Sequence, residues 1–186
     1  MSYKGEVYAV SVPGKMQARN AALAIEAVSC LAEFPYLIAP NLDAGLRRVN
    51  WEFRMQKLVG EPIIIDVTHT AAGARCLAED ISEIYGKVVL VLGMLSDKNI
   101  RDVASVLAGI ATKVFVAPPD SPRAASGDVL YDSMSRVHGD VTLCATVGEA
   151  LDAALEARGK ENVLVTGSFR TAEDALRWIQ SGYARS

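Results

Sequence analysis

Asp66, Thr68, His69 and Thr70 fall within five positions, directly after three isoleucines, in the stretch IIIDVTHTAAG at residues 63–73. A carboxylate, two hydroxyls and an imidazole at the tip of an apolar run supply a charge to hold a ligand, a ring nitrogen that exchanges a proton near neutral pH, and short hydrogen-bonding arms. Three further stretches carry groups of the same kind: Ser96, Asp97, Lys98 and Asn99; Asp120, Ser121 and Arg123; and Thr166, Gly167 and Ser168. Together the four stretches bring carboxylates, hydroxyls, an imidazole and two cations. Each residue also has a plainer reading. Asp66 and Thr70 both suit a helix N-cap. His69 suits a hydrogen-bonded place at a helix start, Asp97 and Lys98 a solvated loop, and Arg123 a brace for the proline-rich turn before it. Gly167 suits a strand-to-helix turn that needs an unusual backbone.

The elements that would position these groups follow from hydrophobic spacing. Short β-branched runs recur at residues 63–67, 88–92, 114–117, 141–144 and 163–166. Between them, Ala74, Leu77, Ile81 and Ile84 share a helical face, as do Ile100, Val103, Leu107 and Ile110, and Val147, Ala150, Leu151, Ala154 and Leu155. Thr146 followed by Glu149 reads as a capping box, and Ser126 and Thr171 as N-caps. Strands alternating with helices imply a parallel sheet covered on both faces, so residues 51–186 read as one doubly wound α/β domain. Ligands of such sheets lie outside the carboxyl ends of the strands, which is where all four polar stretches fall.

Residues 1–50 differ. A strand is expected over 6–12 and a helix over 16–31 with Leu23, Ala27, Val28 and Leu31 on its buried face. Pro35 and Pro40 break the chain before a short helix at 43–49. One strand and two helices are too little to bury a core. This segment reads as the edge of something larger.

Composition narrows the partners. Net charge is −3 and the pI is about 5.4, without a basic cluster, which argues against nucleic acid and anionic membranes. Cys30, Cys76 and Cys144 stand apart in apolar runs, as buried thiols of a reducing cytoplasm would. No apolar run is long enough to span a bilayer. A cytoplasmic location is the expectation.

Several motifs are missing. There is no G-x-x-x-x-G-K-[ST]; VPGKMQA at residues 12–18 carries Met16 where a hydroxyl would hold magnesium. No G-x-G-x-x-G follows a strand, and no G-x-S-x-G elbow occurs. His138 is far from His69 and beside no acidic cluster, so no metal site is expected.

Taken in order, RNAALAI (19–25), VNWEFRMQKL (49–58), IIIDVTHTAAG (63–73), LGMLSDKN (92–99), APPDSPRAAS (117–126) and VTGSF (165–169) resemble the carboxy-terminal part of folylpolyglutamate synthase and dihydrofolate synthase, ATP-dependent amide ligases of the Mur type. The resemblance implies a Rossmann-like carboxy-terminal domain, with residues 1–50 as the end of a preceding ATP-binding domain. It implies a ligase of folate biosynthesis and one-carbon metabolism. ATP phosphorylates a folate-like or other pterin carboxylate, and the amine of L-glutamate attacks the acyl phosphate. It matches Arg54 to an arginine near the ATP phosphates and Asp66 to a nucleotide-side aspartate. His69 falls beside that aspartate, in a catalytic and substrate-binding role. Lys98 and Ser168 match residues that hold the incoming glutamate. Magnesium would be held mainly by an amino-terminal part, and the chain would be inactive alone, as a fragment or one subunit. Two departures bear on the acceptor: Glu52-Phe53 stands where the family has Pro-Gly, and Thr70-Ala71 where it has Asn-Pro. A rival reading is a stand-alone module that binds a nucleotide or amino acid without catalysis.

Overall fold

The computed structural model describes residues 1–31 and 41–183; Pro35 and Pro40 lie outside the described residues. The chain divides into two compact units, Met1–Arg54 and Met55–Ser186.

In the first unit, Ser2–Tyr3 (β1) and Glu6–Val7 (β2) pair antiparallel. Lys4 and Gly5 turn between them at φ 48° and 84°. The strand expected over 6–12 is therefore two residues long. Its register is closed by the reciprocal bonds between Met1 and Tyr8, and nothing further pairs with it among the described residues. Lys15–Leu31 (α1) and Leu42–Arg48 (α2) follow. Asn41 caps α2 by accepting the Ala44 N–H at 2.9 Å. The buried stripe of α1 is Ala21 and Ile25, packed with Leu46 of α2 and with Tyr3 and Tyr8. The expected face is corrected: Leu23 is 69% exposed and Leu31 48%. At 100° per residue Leu23 lies across the helix from Ala21 and Ile25, and the hairpin and α2 occupy only the latter side. Ala21, Ile25 and Leu46 make a small core.

The second unit begins with Gln56–Lys57 (β3) and Ile63–Ile65 (β4). There follow Ala71–Ile84 (α3), Val88–Leu92 (β5), Ile100–Leu107 (α4), a 3-10 turn at Ala108–Ile110 and Ala111–Val116 (β6). Gly127–Ser135 (α5), Val141–Leu143 (β7), Val147–Ala157 (α6), Asn162–Thr166 (β8) and Phe169–Tyr183 (α7) complete it. The sheet order is β3-β4-β8-β5-β6-β7, parallel except for the antiparallel edge strand β3. This is a doubly wound, mostly parallel sheet. All five residues of β5 are buried, because it lies at the centre between β8 and β6 with helices over both faces.

The order of strands dictates the layers. β4, β5, β6 and β7 advance in one direction, and right-handed crossovers put α3, α4 and α5 side by side on one face. The return from β7 to β8 runs the other way, so α6 and then α7 cover the opposite face. Ile64, Leu90, Leu92, Leu107, Leu130 and Leu164 belong to the main core. Ile84, expected on the buried face of α3, is 47% exposed, because it stands in the last turn at the edge of the helix contact.

The caps repeat the sequence in part. Ser126 accepts the Val129 N–H, and Thr146 accepts the Glu149 N–H at 3.1 Å while the Glu149 carboxylate accepts the Ala145 N–H at 3.0 Å. Thr171 is a correction. α7 is capped by Ser168, whose Oγ accepts the Thr171 N–H at 3.1 Å, and Thr171 sits inside the first turn. The cysteines are also corrected. Cys30 is exposed and Cys76 and Cys144 are half-buried, all three free, since the apolar runs around them turn other side chains inward.

Candidate functional site

The strands β4, β8 and β5 lie side by side, yet β4 and β5 lead to helices on one face while β8 leads to α7 on the other. Their carboxyl ends therefore lead away to opposite faces, a topological switch point, which is where sheets of this kind keep their ligands. Backbone bonds tie the three ends together. Asp66 N–H donates to the Val165 carbonyl at 3.0 Å, and Gly93 N–H to that of Thr166 at 3.2 Å. Thr166 Oγ1 donates to the Thr68 carbonyl at 3.4 Å.

Glycine makes this closeness possible. Gly167 has φ 113°, and a Cβ there would lie 2.3 Å from the Gly93 carbonyl oxygen. A Cβ on Gly93 would in turn lie 2.7 Å from Thr171 Oγ1. The two loops are in backbone contact, and the Thr171 hydroxyl seals it by donating to the Gly93 carbonyl at 2.7 Å.

On the β4 side, Asp66 is 4% exposed. Its Oδ2 accepts the Met55 N–H at 3.0 Å and its Oδ1 the Thr68 N–H at 2.8 Å. It caps no helix; Thr70 caps α3 by accepting the Gly73 N–H. His69 Nδ1 lies 2.9 Å from the Val67 carbonyl. A carbonyl only accepts, so Nδ1 carries the proton and a neutral ring presents Nε2 as a lone pair. Among the described residues Nε2 has no hydrogen-bond partner.

On the β5 side, Asp97 stands between two cations: Lys98 Nζ at 2.9 Å and Arg123 Nη2 at 3.0 Å. The hydrogen bond from Lys98, followed by the charges of Lys98 and Arg123, holds the Asp97 carboxyl below its ordinary value. Arg123 braces the loop after β6, as its position suggested, and its carbonyl accepts from the Ser96 N–H at 2.9 Å. Loop residues 93–99 and 118–125 are thus one hydrogen-bonded body, which includes the Leu95–Ala124 bridge.

On the β8 side, Ser168 is 4% exposed and its hydroxyl contacts Thr171 Oγ1 at 2.7 Å. It caps a helix and locks a loop contact. Arg54 belongs to the other unit, where its guanidinium stands 5.8 Å from the centre of the Trp51 ring. The flanking residues Phe53 and Met55 have φ 61° and 47°, the left-handed region that favours glycine. The second unit thus gathers Asp66, His69, Lys98 and Ser168 onto loops of one sheet edge.

Reading by spacing missed the groups that fasten these loops. Asp97 stood among the candidate groups without the role of joining two loops, and Gly93 and Thr171 had no part in the expected site. The signal for Gly93 was present, a glycine immediately after a fully apolar strand. Among the described residues no group of three or more His, Cys, Asp or Glu converges to hold a metal ion. No described helix is long and apolar enough to cross a membrane.

Comparison with known proteins agrees with this architecture. The profile of the Mur ligase, glutamate ligase domain family matches residues 53–169. The chain is similar to the dihydrofolate synthase/folylpolyglutamate synthase of Escherichia coli strain K12, at 30% identity over 122 residues, covering 64% of this chain and 28% of that protein. The Bacillus subtilis strain 168 protein of the same name is 31% identical over 129 residues, 66% of this chain and 30% of that one. Among solved structures, Mycobacterium tuberculosis folylpolyglutamate synthase complexed with ADP and AMPPCP matches with a TM-score of 0.82 and 26% identity, over 90% of this chain and 41% of that chain. E. coli FolC in complex with DHPP and ADP matches with a TM-score of 0.80 and 26% identity, over 97% of this chain and 42% of that chain. The chain spans well under half the length of these relatives.

Proposed function

Because the chain belongs to the Mur ligase, glutamate ligase domain family, we propose that it supplies the amino-acid side of an ATP-dependent ligase that joins L-glutamate to a folate-like carboxylate in the cytoplasm. The observation that supports this reading is the switch point at the ends of β4, β8 and β5, where loops fastened to one another carry Lys98 and a His69 Nε2 that no described residue engages.

The chemistry assigns roles. The amine of glutamate is an ammonium at neutral pH and must lose a proton before it attacks an acyl phosphate. His69 Nε2, kept as an acceptor by the bond at Nδ1, is the base on this side. Lys98 offers a cation to a glutamate carboxylate, steadied by Asp97. Ser168 lines the pocket through the backbone turn that its hydroxyl holds. Arg54 faces the phosphates, where negative charge develops during transfer. Asp66 acts on the nucleotide side by fixing the backbone of Met55, the residue after Arg54. ATP is the phosphoryl donor. Magnesium and the phosphate loop are assigned to an amino-terminal ATP-binding part acting with this chain. The exposed Leu23 side of α1 is the surface that supports such a partner.

The test is an assay of ADP release and of labelled glutamate incorporation, with ATP, magnesium and a reduced folate. The chain alone is expected to give neither product. Together with the ATP-binding part it is expected to give both, and Lys98→Ala is expected to raise the glutamate KM. Amide formation by the chain alone, or an unchanged KM in Lys98→Ala, overturns the reading. Saturable glutamate binding by the isolated chain, with no ligation in the assembled system, would favour a binding module instead.

A further inference from the structure

An opening exists on the same sheet edge, away from Asp66, His69, Lys98 and Ser168. β6 leads to α5 on one face and its neighbour β7 leads to α6 on the other, so their ends diverge as those of β4 and β8 do. The resulting cavity has a volume of about 580 Å³ and lies between the loop after β6, the start of α6 and one side of α7. That is within the usual size of a small-molecule site.

Its walls are unlike the loops that carry His69 and Lys98. Pro118 and Pro119 form a rigid apolar side, and the indole of Trp178 forms another. The ring is fixed: it lies against the backbone of α6 where a Cβ on Gly148 would meet Trp178 Cδ1 at 2.8 Å, and its N–H donates to Asp152 at 3.3 Å. A pre-set aromatic face beside prolines suits a flat ring, since stacking there costs little side-chain ordering.

The polar side of the cavity is Arg177. Its Nη1 faces both neighbouring carboxylates, at 3.0 Å from Asp174 Oδ1 and 3.5 Å from Asp120 Oδ2. The 3.0 Å contact is an ion pair outside hydrogen-bond geometry, so the buried Asp174 Oδ1 accepts no hydrogen bond among the described residues. Asp174 is otherwise occupied through Oδ2, which accepts the Asp120 N–H at 2.7 Å. Nε and Nη2 of Arg177 donate to no other group among the described residues, so they present two parallel donors on a side chain that is 57% exposed. The Val147 and Gly148 N–H groups at the start of α6 add to these donors. The Asp120 carboxylate, 86% exposed, is the competing anion at the rim.

We infer that this cavity binds a small planar ring carrying one anionic group, with the ring on Trp178 and the anion on the free edge of Arg177. The anion displaces the long contact with Asp120 and leaves the Asp174 pair in place. A carboxylate on an aromatic ring and a phosphate on a nucleoside share this chemistry. The inference is independent of the glutamate reading, since no residue assigned to that reaction lines the cavity.

The sequence contains two tryptophans, so a ¹⁵N spectrum holds two indole N–H signals, and Trp51→Phe identifies that of Trp178. The probes are 4-hydroxybenzoate, adenosine monophosphate and inorganic phosphate, titrated into the full chain. The expected result is a saturable shift of the Trp178 signal with at least one ring-bearing probe and a much weaker one with phosphate. The better of the two ring probes identifies the source of the anion. Arg177→Gln should weaken binding roughly ten-fold or more, as loss of a charged hydrogen bond does. Asp120→Asn should strengthen it. Four results overturn the inference: no shift with either ring-bearing probe; phosphate alone binding equally well; Arg177→Gln binding as tightly as the unaltered chain while its spectrum shows it folded; and Asp120→Asn weakening binding.

Discussion

The carboxylate of Asp66 reaches back eleven residues to accept the backbone N–H of Met55 at 3.0 Å, while its other oxygen accepts the Thr68 N–H at 2.8 Å. Both bonds are made by a side chain only 4% exposed, so water cannot replace either partner. An amide in this place offers one oxygen and one NH₂ group. Asp66→Asn therefore leaves one N–H facing a donor and is expected to cost about 1–3 kcal/mol, the penalty of an unsatisfied buried group. Urea denaturation of the two chains checks it. An unchanged midpoint would show that the clamp contributes nothing and that Asp66 has only a ligand role.

Phe53 stands at φ 61°, in the left-handed region that favours glycine. A side chain in the left-handed region costs about 1–2 kcal/mol. Glycine would relieve that cost but give back about 0.5–1 kcal/mol of unfolded-state entropy. The Phe53 ring is half-buried and makes a contact of its own, so Phe53→Gly is compared with Phe53→Ala, which loses the same ring and keeps the strain. Glycine is expected to melt at or above alanine, and Phe53→Val, β-branched in the same conformation, below alanine; the ordering of the three melting temperatures is the measurement.

Gly167 allows no such latitude. Its φ of 113° and the 2.3 Å approach of a Cβ to the Gly93 carbonyl act together, and the obstacle is backbone rather than a movable side chain. Gly167→Ala is expected to cost at least about 3 kcal/mol through backbone strain and overpacking. Gly139→Ala, where a Cβ meets nothing within 4 Å, serves as the control and should change stability little. Equal melting temperatures for the two variants would mean that the loops after β5 and β8 are not in the contact described.

Legibility in the sequence followed burial. Val88–Leu92 could be read because a central strand covered on both faces must be apolar at every position, and its bounds coincide with the apolar run. The site loops could be located for the same reason, since the strand ends fix where the polar groups emerge. What each group does there was not legible. Thr171 looked like a cap because a hydroxyl before a helical pattern usually is one, but its partner is the Gly93 carbonyl, 78 residues away. The Leu23 face of α1 was misassigned because periodicity says that a stripe is apolar, not which side a neighbour covers.

The last prediction concerns Lys98, to which the proposed function assigns a glutamate carboxylate. Asp97 holds Lys98 at 2.9 Å and Arg123 at 3.0 Å, and the Lys98 hydrogen bond is the largest reason that its carboxyl titrates below the ordinary range. A carboxylate depressed in the folded state adds stability above its unfolded pKa, near 3.9, and that stability is lost as pH falls through the lower folded value. At neutral pH the pair is therefore intact, and acid separates it. The Asp97 side chain is 44% exposed, so the pair contributes little to folding and the effect is to be sought in binding. In the ligase assembled with its ATP-binding part, Lys98→Ala removes the cation and should raise the glutamate KM roughly ten- to a hundred-fold. Asp97→Asn keeps the cation and loses only its tether, so it should raise KM by less than about ten-fold. A carboxyl-carbon NMR titration should place the Asp97 midpoint below the ordinary value, and in Lys98→Ala that midpoint should move back up. If Lys98→Ala leaves both KM and the Asp97 midpoint where they were, Lys98 is a solvated loop residue and the glutamate carboxylate is held elsewhere.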